Sequence, residues 1–149
     1  MRIGLTGGGS GGHFYPLIAI AEELRTQTAG LDTPLEIFYF APTRYNQSEL
    51  DRCEIIFSRV PGGKWRRYFS VLNFLDVFVM GFGLLIALVK LYWWYPDVII
   101  SKGGAVSIPV ILAARFYRIP IIVHESDARP GRANLLASKF ANYVAISYA

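Results

Sequence analysis

The sequence predicts an α/β domain, a parallel sheet covered by helices on both faces. Three observations lead there. Its short strand-like runs are unbroken in apolar residues, as strands buried on both sides read. These runs alternate with helix-like segments, the order that winds a parallel sheet. Two of them run directly into glycines, at Gly7–Gly12 and at Gly103-Gly104, the way a strand passes into a phosphate-cradling helix start.

The elements follow in order. Arg2–Thr6 (RIGLT) is the first strand, and Ile18–Arg25 (IAIAEELR) has helical spacing. That helix is expected to begin near Phe14 or Pro16, since proline fits a first turn. Leu35–Phe40 (LEIFYF) is a second strand, rich in aromatic and β-branched residues. Ile55–Val60 is a third, ended by Pro61-Gly62-Gly63. Asp97–Ser101 (DVIIS) is a fourth, Ile119–Val123 a fifth and Tyr143–Ile146 a sixth, with helices near Ser107–Tyr117 and Arg132–Ala141. The 149 residues are the size of one domain and can bury a substantial core. They stop at Ser147-Tyr148-Ala149, just after a strand and with no closing helix. Residues 1–149 are therefore expected to be one domain, incomplete at its C-terminal end.

Composition narrows the class. Hydrophobic residues are 53% and charged residues 17%, which excludes disorder. A net charge of +4 suits anionic lipid or phosphate-bearing substrates and is no nucleic-acid signature by itself. The single Cys53 excludes an intrachain disulfide framework and fits a reducing compartment. Met1 leads straight into a strand with no basic and apolar leader, so no signal peptide is expected.

Val71–Tyr95 (VLNFLDVFVMGFGLLIALVKLYWWY) is the strongest oddity, and it is long enough to cross a bilayer. At 100° per residue, Asn73, Asp76, Gly83, Ala87 and Lys90 share one stripe, and the rest of the circumference is large and apolar. The strands before and after it belong to one sheet, which a single span would divide. A span is therefore the least favoured of three readings, the others being a helix buried in the fold and one that packs a face on the sheet and dips another into lipid. Lys64, Trp65, Arg66 and Arg67 precede it, and Trp93 and Trp94 close it. Basic and aromatic residues side by side suit anionic headgroups, so interfacial binding is the preferred expectation, with Phe74, Phe78 and Phe82 among the contacts.

In open parallel sheets, ligands bind beyond the carboxyl ends of strands. Three loops lie there: Gly7–His13, Ser101–Gly104, and His124–Gly131 followed by Arg132-Ala133-Asn134. Gly7-x-Gly9-x-x-Gly12 satisfies the dinucleotide pattern, but the second strand ends in Ala41-Pro42-Thr43-Arg44, without the acidic residue that holds a ribose, so NAD is discounted. No Lys-Ser/Thr follows the glycines, which excludes a P-loop, and the sequence shows no metal-ligand spacing. No metal or other cofactor is expected. His13 and Glu125 remain as chemistry-bearing residues on one rim of the sheet. Either a neutral imidazole or a carboxylate of raised pKa can take a proton from a sugar hydroxyl.

These loops carry a family resemblance. GGGSGGHFYP resembles the GGTGGHxxP loop of MurG-like transferases of glycosyltransferase family 28. SKGGAVSIPVILAARFYRIPIIVHESDARPGRANLLASKFA is similar to their second signature, GGYVSxPxxLAA…IPxxxHEQNxxxGxxN. The resemblance implies the N-terminal half of a GT-B enzyme with two Rossmann-like domains, this half taking the acceptor and touching the cytoplasmic face of the cell membrane as a peripheral protein. The implied reaction transfers GlcNAc from UDP-GlcNAc to polyprenyl-diphosphate-linked MurNAc-pentapeptide (lipid I to lipid II), with inversion, in peptidoglycan synthesis. It needs a C-terminal donor domain, in cis or as a partner chain, and residues 1–149 alone are expected to be inactive. His13 and Glu125 are implied as base and supporting group, with neither order preferred. Gly9, Ser10, Gly11, Gly12, Gly103, Gly104, Asp127 and Asn134 are implied as substrate-binding.

The chain departs from the pattern at Ala105, where tyrosine is usual, and at Ser126-Asp127, where two amides are usual. A carboxylate near a diphosphate calls for balance by Arg129 or Arg132. Two alternatives stay open. One is the membrane subunit of a split polyprenyl-diphosphate GlcNAc transferase, and the other is a non-catalytic polyprenyl-diphosphate-binding module.

Overall fold

In the computed structural model, residues 1–30, 33–63, 71–127 and 129–147 are described, with side chains of 71–75 excepted. Six parallel strands form one sheet in the order β3-β2-β1-β4-β5-β6. They are β1 (Arg2–Gly7), β2 (Glu36–Ala41), β3 (Ile55–Arg59), β4 (Val98–Gly103), β5 (Ile121–Glu125) and β6 (Tyr143–Ile146). Between them come α1 (Gly11–Thr28), α2 (Gln47–Arg52), α3 (Val71–Trp94), α4 (Ile108–Phe116), entered through a 3-10 turn at Ala105–Ser107, and α5 (Arg132–Ser138).

The apolar strand runs become two cores because successive side chains point to opposite faces. Ile37, Tyr39 and Ala41 join Phe14, Leu17 and Ile18 of α1 and Leu50 of α2 on one face. Phe38 and Phe40 join Ala87 and Leu91 of α3, Val110 and Ile111 of α4 and Ala137 of α5 on the other. The α/β expectation, with helices on both faces, is met. α2 escaped the sequence reading because QSELDR is short and polar and buries Leu50 alone.

Several boundaries differ: β4 and β5 each run two residues further than expected, to Gly103 and Glu125, and two helix ends move by three or more. α1 begins at Gly11, not at Phe14 or Pro16, so Pro16 lies in its second turn. Burial of Phe14, Leu17, Ile18 and Ala21 sets where this helix lies, and that outweighs the poor helix propensity of two glycines. α5 ends at Ser138, three residues short of the expected Ala141.

Helix α3 is the crossover from β3 to β4 and packs on α4. It is built inside out. Gly83, Ala87 and Leu91 face the protein, and Lys90 donates from Nζ to Ser58 Oγ at 2.9 Å. Outward stand Phe78, Phe82, Leu85, Val89, Tyr92 and Trp93, each at least 58% exposed. Only 17% of the Asp76–Trp94 stretch is buried. The small and polar stripe is thus the packing face, and a fully buried helix is ruled out. Length and composition would allow α3 to cross a membrane, but both its ends feed strands of the same sheet.

Gly83 permits this packing. A Cβ there would overlap the Pro61 carbonyl oxygen, whereas one on Gly81 would meet nothing within 4 Å. Gly→Ala in a free helix interior gains about 1 kcal/mol, and overpacking against backbone costs about 1–3 kcal/mol. Gly81→Ala is therefore expected to stabilise the fold and Gly83→Ala to destabilise it, by urea unfolding. A stabilised Gly83→Ala protein would contradict the close approach.

Candidate functional site

Strand order reverses between β1 and β4: β2 and β3 extend to one side, β5 and β6 to the other. At such a switch point the loops diverge and leave a crevice at the carboxyl ends. Both glycine loops leave from there. Gly103 and Gly104 have φ of 92° and 86°, a backbone that favours glycine. Their lack of side chains also brings the loops together. A Cβ on Gly104 would lie 2.9 Å from the Gly8 Cα, and one on Gly103 would overlap Asn134 Oδ1.

His13 stands in the first turn of α1. The Ser10 side chain makes no capping bond to the helix backbone; its Oγ instead meets His13 Nδ1 at 2.7 Å. The first-turn N–H groups of Gly11 and Gly12 have no intrahelical acceptor, as at any helix start, and are donors for an anion. With Nδ1 engaged, Nε2 is the nitrogen turned toward Gly104, 3.6 Å from where a Cβ there would sit. Burial first, and then the Lys102 charge, push the His13 pKa below 6.5, against the opposing pull of Asp127 and Glu125. Both effects favour the neutral imidazole at pH 7.

Glu125, at the end of β5, is buried. Its Oε1 accepts from the Asp127 N–H at 2.9 Å, and its Oε2 accepts from Asn134 Nδ2 at 2.8 Å. Burial favours the neutral acid here, but the Asn134 amide, the Asp127 N–H, the Lys102 charge and the Gly131 N–H outweigh it. The carboxyl is held below its usual range. Glu125 therefore ties the His124–Gly131 loop to α5. His124 also has its pKa lowered, by burial first and Lys102 second.

A cleft of about 210 Å³ joins these groups, lined by His13, Lys102, Gly104, Ala105, Glu125, Asp127, Gly131, Arg132, Ala133 and Asn134. Of the residues singled out in the sequence, His13, Glu125, Gly104, Asp127 and Asn134 line it together. Ser10 and Gly103 support it from behind through His13 and Asn134. Gly9 and Gly12 have open space where a side chain would stand, and a Cβ on Gly11 would meet the Tyr45 hydroxyl at 2.9 Å. Among the described residues no group of three His, Cys, Asp or Glu side chains suits a metal ion. Lys102 is a lining residue that sequence reasoning did not select, and Arg132, named there as a counter-charge for Asp127, lines the cleft as well. Lys102 was hidden because the fourth strand was expected to end at Ser101, while β4 continues through Gly103. A lysine directly before two glycines was the available signal.

The membrane candidates are on another surface. Phe78, Phe82 and Trp93 are 61%, 60% and 75% exposed on α3. Trp94 instead sets its ring against Phe38, centroids 4.5 Å apart. Lys64, Trp65, Arg66 and Arg67 and the Phe74 side chain lie outside the described residues.

The model of the glycosyltransferase family 28 N-terminal domain matches residues 3–146. The chain belongs to glycosyltransferase family 28. Within that family it is 40% identical over 149 residues to the UDP-N-acetylglucosamine--N-acetylmuramyl-(pentapeptide) pyrophosphoryl-undecaprenol N-acetylglucosamine transferase of Borrelia turicatae, covering 99% of this chain and 40% of that protein. It is 38% identical over 157 residues to the Treponema denticola protein of the same name, covering 96% of this chain and 38% of that one. The family 28 chain thus spans about 40% of the length of these curated relatives. Among solved structures it superposes on Acinetobacter baumannii MurG with a TM-score of 0.80 at 23% identity, over 99% of this chain and 42% of that one. UDP-GlcNAc 2-epimerase of Methanocaldococcus jannaschii gives 0.66 at 13% identity, over 97% and 38%. These likenesses establish the Rossmann-like fold of a family 28 N-terminal domain.

Proposed function

We propose that residues 1–149 are the acceptor-binding half of a GT-B transferase that moves GlcNAc from UDP-GlcNAc to polyprenyl-diphosphate-linked MurNAc-pentapeptide. The observation that carries this reading is the juxtaposition, at the switch point, of two glycine loops with the Nε2 of a neutral histidine. The activity printed for the Borrelia and Treponema relatives supports it.

In this reading the acceptor's diphosphate rests on the Gly9–Gly12 helix start and the Gly103-Gly104 loop. His13 is the base. Its Nε2 takes the proton of the MurNAc 4-hydroxyl as that oxygen bonds the anomeric carbon of GlcNAc, and the carbon–oxygen bond to UDP breaks with its electron pair, inverting the centre. The reaction needs Ser10 Oγ to accept from Nδ1–H, which leaves Nε2 unprotonated. Both carboxylate oxygens of Glu125 are engaged by its own loop and α5, which favours His13 over Glu125 as base. Glu125, Asn134 and Asp127 shape the acceptor's sugar side, and the outward face of α3 holds the domain at the anionic cytoplasmic leaflet as a peripheral protein.

The test is transfer from radiolabelled UDP-GlcNAc to a lipid-linked acceptor. Residues 1–149 alone should give none, and adding the donor-binding domain, fused or in trans, should give labelled lipid product. Turnover by residues 1–149 alone, or none after assembly with a folded donor domain, would overturn the reading.

A further inference from the structure

The sheet carries one irregularity at the switch point. β1 and β4 pair residue for residue from Ile3↔Val98 to Thr6↔Ser101, and the next pair is Gly7↔Gly103. Lys102 is the extra residue of a bulge, with no partner on β1. A bulge beside a site re-aims a side chain, and this one sends lysine to the cleft wall beside His13 and Glu125. Lys102 is 3% exposed. Among the described residues its ammonium makes no hydrogen bond and no ion pair. No cleft carboxylate pairs with it directly: the Lys102 charge helps keep Glu125 ionised, but the Glu125 oxygens are taken by Asn134 and the Asp127 N–H, and Asp127 sits exposed at the rim. A buried, unpaired ammonium is costly unless an anion meets it.

We propose that Lys102 binds a diphosphate in this cleft, as the charged partner of the neutral donors supplied by the Gly11–Gly12 helix start. The proposal rests on the functional reading above and adds to it a specific cation. Two diphosphates belong to that reaction, the acceptor's and the leaving group's, and both present the same chemistry to an ammonium.

The experiment titrates the full chain with geranyl diphosphate and, separately, with UDP, by calorimetry at low salt. Lys102→Met is compared with the unaltered chain and with Lys139→Met, which removes an exposed surface charge. Geranyl diphosphate affinity is expected to fall tenfold or more in Lys102→Met and to hold in Lys139→Met, with melting temperatures alike. A loss confined to UDP would support the cation and assign it to the leaving group. Equal affinity of Lys102→Met and the unaltered chain for both ligands would overturn the Lys102 assignment and leave the transferase reading standing. No binding of either by the unaltered chain would overturn both. Should Lys102→Met fail to fold, the ammonium nitrogen resonance of Lys102 in the unaltered chain decides. A shift on saturation with geranyl diphosphate supports contact, and an unmoved resonance refutes it.

Discussion

His13→Ala, in an assembled enzyme carrying this chain, is expected to lower the transfer rate about 10²–10⁴-fold, the usual worth of a positioned general base. Binding of the diphosphate acceptor should change little, because the helix-start donors are backbone N–H groups. The pH profile sharpens the test. Burial, with the Lys102 charge second, disfavours the imidazolium, so the His13 pKa lies below 6.5. The base form is neutral, hence activity is fully present above that pKa and falls as pH drops through it. The acid limb of kcat/KM should centre below 6.5 in the unaltered enzyme and be absent from the residual activity of His13→Ala. Transfer within a few-fold of the unaltered rate, or an unchanged acid limb, would remove His13 from the base role and return attention to Glu125. Ser10→Ala should show a smaller loss, since it frees the ring that the 2.7 Å contact to Nδ1 holds.

Substituting Phe78, Phe82, Leu85 and Val89 together by glutamine is expected to abolish vesicle binding while the domain stays folded. These side chains are 61%, 60%, 61% and 58% exposed and lie on one stripe of α3. Full burial of such a side chain is worth about 1.5–3 kcal/mol, so the part now facing water is worth about 1 kcal/mol each. Four of them make about 4 kcal/mol, close to a thousandfold in partitioning. Co-sedimentation with anionic vesicles measures it. Neutralising Lys64, Arg66 and Arg67 should weaken binding by about 1 kcal/mol per charge, an effect that added salt mimics. Retention of vesicle binding by the fourfold variant would refute docking through α3, and resistance to alkaline carbonate would show a spanning helix instead.

Much of this was legible along the chain. The apolar runs of β1, β2, β4 and β5 announce a doubly covered parallel sheet because each strand is buried on both faces. The glycine clusters announce phosphate-type loops because only backbone without side chains approaches so closely. His13 and Glu125 stood out by chemical type. Their different situations did not, since the engagement of Glu125 by Asn134 depends on α5 lying against β5, nine residues on in sequence. α2 was missed for want of an apolar pattern, and the start of α1 was misplaced because local propensity argued for a later residue than packing allows.

The sequence by itself determined the layers of this protein, its ligand-bearing loops and the apolar character of α3, all properties of residue type and period. The tertiary structure alone decided three things. It set α3 with its small, polar stripe inward and its large side chains out, because Gly83 and Ala87 let the helix sit close on Pro61 and α4. It fixed Glu125 as a loop tie rather than a free carboxylate. And it turned Lys102 into the cleft through a one-residue slip between β1 and β4, a register that arises when two strands distant in sequence are paired and that no local pattern encodes.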